Sequence, residues 1–325
     1  MPLPSPSDVH INSALTQIAI AFRQSFDEFV SFRVFPMVGV AKQSDAYHIW
    51  DRADFHRDEA KQVGPGGEAP IGGLRLSNDS YNCKKFKFAH LLTDDEEANA
   101  DDALSIREEK TEDVVRKLMI RKEKDWAEKY FTTGVWTGST TGADLVAGVD
   151  FTSWSTYASS EPIQNIRAQV THMKKLGIKA RDITLTLGQE VLAVLVDHPK
   201  FLERYEQVQP GILNEDLIAA VLGIGRVVVP GGVINTGVEG GTASYSFIHG
   251  KSALLSYSPP VASKGKPSAG YSFVWTGLVG GANQGMRIKT YQRAEKSSEQ
   301  IEGESAWDHK VVSSVCGVFF SNCVA

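Results

Sequence analysis

The stretch that most limits how this chain can fold is KQVGPGGEAPIGG, residues 61–73, which contains five glycines and two prolines. Glycine weakens helices and strands and proline removes a backbone donor, so the stretch predicts an irregular loop. Segments of mixed polar and apolar residues flank it at 46–60 and 74–88. We interpret them as the two arms of a β-hairpin with a glycine-rich tip. An arm of that length would reach about 50 Å, against about 17–20 Å for an ordinary strand.

Such a hairpin should rest on something outside its own fold, because an isolated two-stranded ribbon is marginal in water. Its first arm includes Trp50 and Phe55 among many charged residues. Exposed aromatic side chains on a protruding arm are typical of interfaces. The alternative is that both pack back on the body of the protein. The residues that we predict as candidates for contacts with another subunit are Trp50, Arg52, Phe55, Arg57, Glu59 and Lys61.

Charge and composition exclude several classes of function. The net charge of -5 argues against tight nucleic-acid binding, which needs lysines and arginines to neutralise phosphates. The first residues lack the pattern of a secretory signal, and no run of 18 apolar residues predicts a membrane span. We therefore expect a soluble protein made in a reducing cytoplasm. The three cysteines, Cys83, Cys316 and Cys323, are predicted to be buried apolar residues rather than a disulfide or metal ligands.

Helices and strands alternate along the rest of the chain, which predicts an α+β protein. A short amphipathic helix is expected within 11–32 and an extended run at 34–40. A capping box, in which Ser105 caps and Glu108 reaches back, predicts a long helix from Ser105 to about Tyr130. An α/β block follows: its helices are predicted at 162–176, 189–196, 201–207 and 214–222, and its strands at 182–187, 227–229, 245–248 and 253–257. The tail predicts strands at 271–276, 286–293 and 311–320.

No catalytic, cofactor or metal site is predicted. Gly223 and Gly225 precede a strand instead of opening a helix, which is the wrong context for a dinucleotide fingerprint. His48 and His56 are about 26 Å apart if both lie on one strand, too far to share a metal. The acidic cluster at 94–102 lacks the alternating ligands and central glycine of a calcium loop, so we interpret it as solvated charge before the long helix.

The order of these elements resembles the major capsid protein of tailed bacteriophages, which has the Hong Kong 97-type fold. Three stretches carry the resemblance: VFPMV at 34–38 followed by KQSD at 42–45, RKEKDWAEKYFTTGVW at 121–136, and the closing segment 293–324 with WDHKVV and GVFF. They look like the entry to the hairpin arm, the end of the long spine helix and the closing strands of that family. The resemblance spans residues 11–324.

The resemblance implies a domain division and a structural role. Residues 1–45 would be an N-terminal arm, 46–90 the extended hairpin called the E-loop, 91–160 with 259–325 the peripheral domain, and 161–258 the axial domain. The E-loop would lie across a neighbouring subunit, and pentamers and hexamers of the chain would close an icosahedral shell around double-stranded DNA, without sequence-specific binding. Implied partners are a portal and a separate scaffolding or decoration protein, with no membrane and no cofactor. The implied location is the virion, after assembly in the host cytoplasm.

Other interpretations remain open. Some members of the family crosslink a lysine to an asparagine, and Lys61 is a possible donor, with no pattern naming an acceptor. A cellular nanocompartment shell, the encapsulin type, is the principal alternative. An enzyme built on the α/β block would need a pocket with convergent titratable groups. A phage tail or adhesin protein fits the capped helix and the α/β block poorly.

Overall fold

The computed structural model describes residues 28–50, 54–99, 103–206, 214–238, 240–259, 268–279 and 285–325. Its strands are β1 (Met37–Val40), β2 (Ser44–Trp50), β3 (Leu76–Asn82), β4 (Lys84–Thr93), β5 (Leu145–Val146), β6 (Ile183–Leu187), β7 (Arg226–Val228), β8 (Val233–Asn235), β9 (Tyr245–Phe247), β10 (Ala253–Tyr257), β11 (Gly270–Trp275), β12 (Met286–Arg293), β13 (Ser298–Val311) and β14 (Gly317–Ser321). Its helices are α1 (Asp94–Asn99), α2 (Ala103–Tyr130), α3 (Pro162–Lys175), α4 (Gln189–Val196), α5 (Pro199–Glu206), α6 (Glu215–Leu222) and α7 (Thr276–Val279).

The first sheet is built around β13, in the order β1-β11-β13-β12, with β4 also paired to β13. Helix α2 covers one face of this sheet, where Val114, Leu118 and Met119 are buried with Ile288 and Ile301. The opposite face carries charged side chains on β4, β12 and β13, among them Lys85, Lys289 and Glu304, and a separate aromatic cluster around Phe273 on β11. One sheet with one covering helix therefore forms the first core.

The strands of the tail differ from those expected from the sequence. We expected one strand at 311–320, but the chain makes a 3₁₀ turn at Ser314–Cys316 and β14 begins only at Gly317. The long strand instead precedes it, as SEQIEGESAWDHKV, and the polar composition hid it from pattern analysis. Its Glu302 and Glu304 are nevertheless buried, because cationic side chains from the neighbouring strands surround them.

The second sheet has the order β5-β14-β10-β6-β7 and carries α3, α4 and α6. Prediction was accurate here: the bounds of α4 and β10 match, and Oδ1 of Asn214 accepts the amide of Leu217 as the expected helix cap. Gly223 is the left-handed residue that ends α6. Strands β5 and β14 pair with each other, and β14 pairs with β10.

Helix α2 links the two cores. It begins at Ala103, so Ser105 lies inside the helix and the predicted start at a capping box is wrong, whereas the predicted end at Tyr130 is confirmed. Its first half belongs to the first core, and Trp126 and Tyr130 belong to the core of the second sheet. Of the short helix expected at 11–32, residues 28–32 form turns, and the remainder lies outside the described residues.

Candidate subunit interface

The hairpin is shorter as a ribbon than the sequence suggests. Strands β2 and β3 pair antiparallel over seven residues each, from Ser44 opposite Asn82 to Trp50 opposite Leu76. That is about 23 Å of strand rather than about 50 Å. The second arm also divides at Cys83, and Phe86 and Phe88 belong to β4 in the first sheet. Residues 57–75 form an irregular tip, in keeping with its glycines and prolines. We call residues 44–82 the arm.

The base of the arm is anchored on the chain's own first sheet. The rings of Tyr81 and Tyr47 lie 4.7 and 5.3 Å from the ring of Phe273 on β11. The amide of Asn82 donates to Asp308 on β13 at 2.8 Å. The hydroxyl of Tyr47 donates to Asp79 at 2.8 Å, and burial together with this carboxylate raises the pKa of Tyr47. The arm therefore projects from a fixed root.

Asp54 organises the start of the tip. Its carboxylate accepts the backbone amide of Arg75 at 2.9 Å and the Arg75 guanidinium at 3.0 and 3.2 Å. Arg57 approaches the same carboxylate at 3.5 Å. The hydrogen bonds from Arg75 lower the pKa of Asp54. These contacts join the two sides of the loop where the strand ladder has ended.

The arm also meets the chain's own α/β block. The imidazole of His56 lies beside Gly177, so close that a Cβ at position 177 would stand 2.3 Å from Nε2. Gly177 has a φ of +79°, the left-handed conformation that ends α3. One residue of the arm, His56, therefore packs against the α/β block of the same chain.

The tip beyond this contact is exposed and carries apolar side chains. Ile71 is 99% exposed, and Val63, Leu74 and Leu76 are exposed as well. Burying such side chains is favourable by about 25 cal/mol per Å², so a surface that covers them would gain free energy. Sequence analysis did not select these residues, although Ile71 between Pro70 and Gly72 cannot reach a core from a loop tip.

Three of the six predicted contact residues, Arg57, Glu59 and Lys61, lie on this tip. Arg57 is paired with Asp54 and lies 3.9 Å from Glu59, and Lys61 is exposed. The backbones of Trp50 and Phe55 are described and their side chains are not, and Arg52 lies outside the described residues. Whether the two aromatic side chains pack outward or back on the body stays open.

The cysteines lie in the interior of the described chain. Cys83, Cys316 and Cys323 are all buried, as predicted, and burial raises the pKa of Cys83 to about 12. Across the described ranges, no group of three or more His, Cys, Asp or Glu is placed to hold a metal ion. No helix within them has the length and apolar character to cross a membrane.

An open groove of about 660 Å³ lies between the segment at 28–33 and the α/β block. Glu28, Arg33 and Glu215 contribute its charged groups, and burial raises the pKa of Glu215. The described residues that line it include no serine, cysteine or histidine that would act as a nucleophile or base.

Comparisons with known proteins give similarity at the level of structure. No family model matches the sequence, and no curated protein matches it. A phage-related protein from Bordetella bronchiseptica superposes with a TM-score of 0.71 at 17% identity, covering 97% of this chain and 98% of that one. The capsid of cyanophage P-SCSP1u gives 0.55 at 12% identity, covering 88% and 85%. The chain has the Hong Kong 97-type capsid fold.

The elements of this chain correspond to named parts of the Hong Kong 97-type fold. The arm is the E-loop, α2 is the spine helix, and the second sheet with α3, α4 and α6 is the α/β unit that this fold calls axial. A virus-like particle from Pyrococcus furiosus is also similar, with a TM-score of 0.56 at 10% identity, covering 95% of this chain and 99% of that one. Identities this low establish the fold and leave the function to be argued from the chain itself.

Proposed function

We propose that this chain is the major capsid subunit of a tailed phage or prophage, whose copies assemble into an icosahedral shell around double-stranded DNA. The observation that carries the proposal is a Hong Kong 97-type fold whose E-loop ends in an exposed apolar tip. In a closed shell each tip meets the same surface of a neighbour, because symmetry repeats one heterologous contact. The role is structural, and no catalytic function is proposed.

Many weak contacts suffice for such a shell, because subunits held at several places bind with high avidity. The E-loop would supply one of these contacts, with Trp50, Arg52, Phe55, Arg57, Glu59 and Lys61 as candidates and Ile71 added by its exposure. The proposed domain division is that of the sequence analysis, with β5 and β14 moved to the axial domain because of their pairing.

The proposed partners are other copies of the chain in pentamers and hexamers, a portal, and a scaffolding or decoration protein. DNA would be enclosed without specific contacts, as suits a chain of net charge -5. The proposed location is the virion, after assembly in the host cytoplasm.

A nanocompartment shell is the second candidate, and the similarity to the virus-like particle from Pyrococcus furiosus favours considering it. The contents of native particles separate the two functions. Particles that contain nuclease-protected double-stranded DNA support the capsid role, and particles that contain a cargo protein and no DNA support the nanocompartment.

The test of the assembly role removes the tip. Deletion of residues 62–72 should leave a folded subunit, because these residues are exposed and the root of the arm is held by Tyr81 and Asn82. We expect shell yield to fall at least tenfold, measured by sedimentation and electron microscopy under conditions in which the intact chain assembles. Normal shells from the deleted chain would contradict the role of the E-loop tip.

A matched pair of point variants refines the test. Ile71→Asp places a charge at the exposed tip, and Val149→Asp places the same charge at a turn where the side chain is 82% exposed. We expect assembly to be reduced by Ile71→Asp and unchanged by Val149→Asp, with equal thermal stability of both subunits. Equal assembly of the two variants would remove Ile71 from the contact.

A further inference from the structure

A carboxyl group in the middle of the spine helix is entirely buried. Glu123 lies on α2 and has no exposed surface. Its Oε1 accepts the backbone amide of Val30 at 3.0 Å, and its Oε2 accepts that of Ser31 at 2.9 Å. The partners are 93 and 92 residues away in sequence. One side chain thus holds a segment that leads into β1.

That segment, residues 28–35, is bound along its backbone by several elements. The amide of Gly231 donates to the carbonyl of Glu28 at 3.0 Å. The guanidinium of Arg226 on β7 donates to the carbonyls of Arg33 and Val34 at 2.8 and 3.2 Å. The segment forms no regular helix or strand, so these bonds and the buried Phe29, Val30 and Phe35 hold it in place.

The imidazole of His249 faces the same carboxyl from the loop between β9 and β10. Its Nε2 lies 3.4 Å from Glu123 Oε1, and neither ring nitrogen has a hydrogen-bond partner among the described residues. Trp126 and Phe131 enclose the imidazole, with ring centroids 5.3 and 5.1 Å away. This apolar enclosure disfavours a charged imidazole, because it replaces water around the ring.

Among the described residues, no lysine or arginine lies within salt-bridge distance of this carboxyl. Lys122 is the neighbour of Glu123 on α2, but its amino group lies over the ring of Phe32 at 4.6 Å and beside Met37 Sδ at 3.8 Å. The guanidinium of Arg226 donates its hydrogen bonds to carbonyls of the segment. Complete burial and a neutral imidazole therefore favour the protonated carboxyl, whereas the two amide donors favour its ionised form.

We propose that Glu123 and His249 form a proton-dependent latch, which holds residues 28–35 against the spine helix while Glu123 is protonated and loosens when it ionises. A protonated Glu123 can donate to the imidazole while its carboxyl oxygens remain near the two amides. Ionisation leaves a buried charge that the two amides compensate only in part, and opening the segment lets water reach it. The inference concerns the single subunit and does not rest on shell assembly.

Burial raises the pKa of Glu123 to about 7, although the two amide hydrogen bonds act in the opposite direction. Burial also lowers the pKa of His249 to about 3. The pKa of Glu123 is thus higher in the closed state than in water. Its contribution to closure is fully present below about pH 4.5 and is lost as the pH rises to about 7. Each pKa unit corresponds to a tenfold change in the opening equilibrium.

The test is hydrogen exchange of the unassembled full-length subunit at pH 5 and pH 8, with rates expressed as protection factors. We expect the protection of the Val30 and Ser31 amides to fall at least tenfold between the two values. Glu123→Gln should make their protection independent of pH. The control, Glu128→Gln, changes a half-exposed glutamate on the same helix and should behave as the native chain.

Equal protection at both pH values in the native chain would overturn the latch, and so would pH dependence that persists in Glu123→Gln. If that variant does not fold, the native profile still decides, together with a carbon-13 titration of the Glu123 carboxyl. A titration midpoint below about pH 5.5 contradicts the proposal, because the closed state would then not favour the protonated acid.

Discussion

At the scale of single residues, Glu304 explains how a polar strand lies at the centre of a sheet. Lys85 on β4 and Lys289 on β12 each reach this carboxylate at 3.0 Å, and Arg287 contacts it as well. Burial opposes ionisation, but hydrogen bonds from Lys289, Lys85 and Arg287 outweigh it and lower the pKa to about 2. Cationic side chains from the neighbouring strands thereby compensate the carboxylate for its lost hydration.

We expect Glu304→Gln to lower the free energy of unfolding at pH 7 by about 1–3 kcal/mol, because three cations then lack their shared partner. The stability that ionised Glu304 supplies is present above about pH 4.5 and is lost as the pH falls towards 2. The variant should therefore lose less stability than the native chain over that interval, measured by urea unfolding. Glu295→Gln removes an exposed partner of Arg293 and should cost less than about 1 kcal/mol. Equal effects of the two substitutions would contradict the role of Glu304.

At the scale of elements, β14 depends on close packing against an indole ring. A Cβ at Gly317 would lie 2.2 Å from the ring of Trp136, which is itself buried and donates its Nε1 to the carbonyl of Tyr130 at 2.6 Å. The rigid ring cannot move aside as a flexible side chain would. The glycine thus lets the end of α2, the following loop and β14 pack together.

Gly317→Ala should destabilise the protein by about 1–3 kcal/mol, since overpacking forces backbone or ring shifts. Gly73→Ala makes the same chemical change where no atom lies within 4 Å, and we expect an effect within about 0.5 kcal/mol. Thermal unfolding of the two variants compares them directly. A Gly317→Ala protein as stable as the native chain would show that the ring adjusts freely.

At the scale of the whole molecule, one helix serves two hydrophobic cores. Leu118 belongs to the cluster under the first sheet, and Trp126 belongs to the cluster of the second. Since eight residues of one continuous helix separate them, a disturbance at either site can pass along the helix. The spine helix therefore contributes buried side chains to both cores.

We expect Leu118→Ala to cost about 2–5 kcal/mol and Trp126→Ala about 3–5 kcal/mol, because both side chains are buried. Hydrogen exchange should distinguish their effects. Leu118→Ala should raise exchange first in β12 and β13, and Trp126→Ala first in β10 and β14. Identical exchange patterns would mean that the two clusters behave as one cooperative unit.

The arm has some features that could be predicted from the sequence and others that could not. Its place in the chain and its glycine-rich tip were predicted from residues 61–73, because backbone freedom is a local property. The end of the ladder at Trp50 and the transfer of Phe86 and Phe88 to β4 were not, because pairing with β13 decides them. The contact of His56 with Gly177 joins parts of the chain distant in sequence and has no local signal.

The sequence by itself determined the α+β class and the bounds of α4 and β10, since helix periodicity, capping by Asn214 and β-branched runs act over a few residues. Only the tertiary structure decided that SEQIEGESAWDHKV is a central strand, that β14 joins the second sheet and that Glu123 holds residues 28–35. In all three cases the deciding partner is distant in sequence: β14 pairs with β10, and the buried carboxyl groups need polar partners. A buried polar or charged group is stable only beside partners that compensate it, and here those partners come from distant parts of the chain.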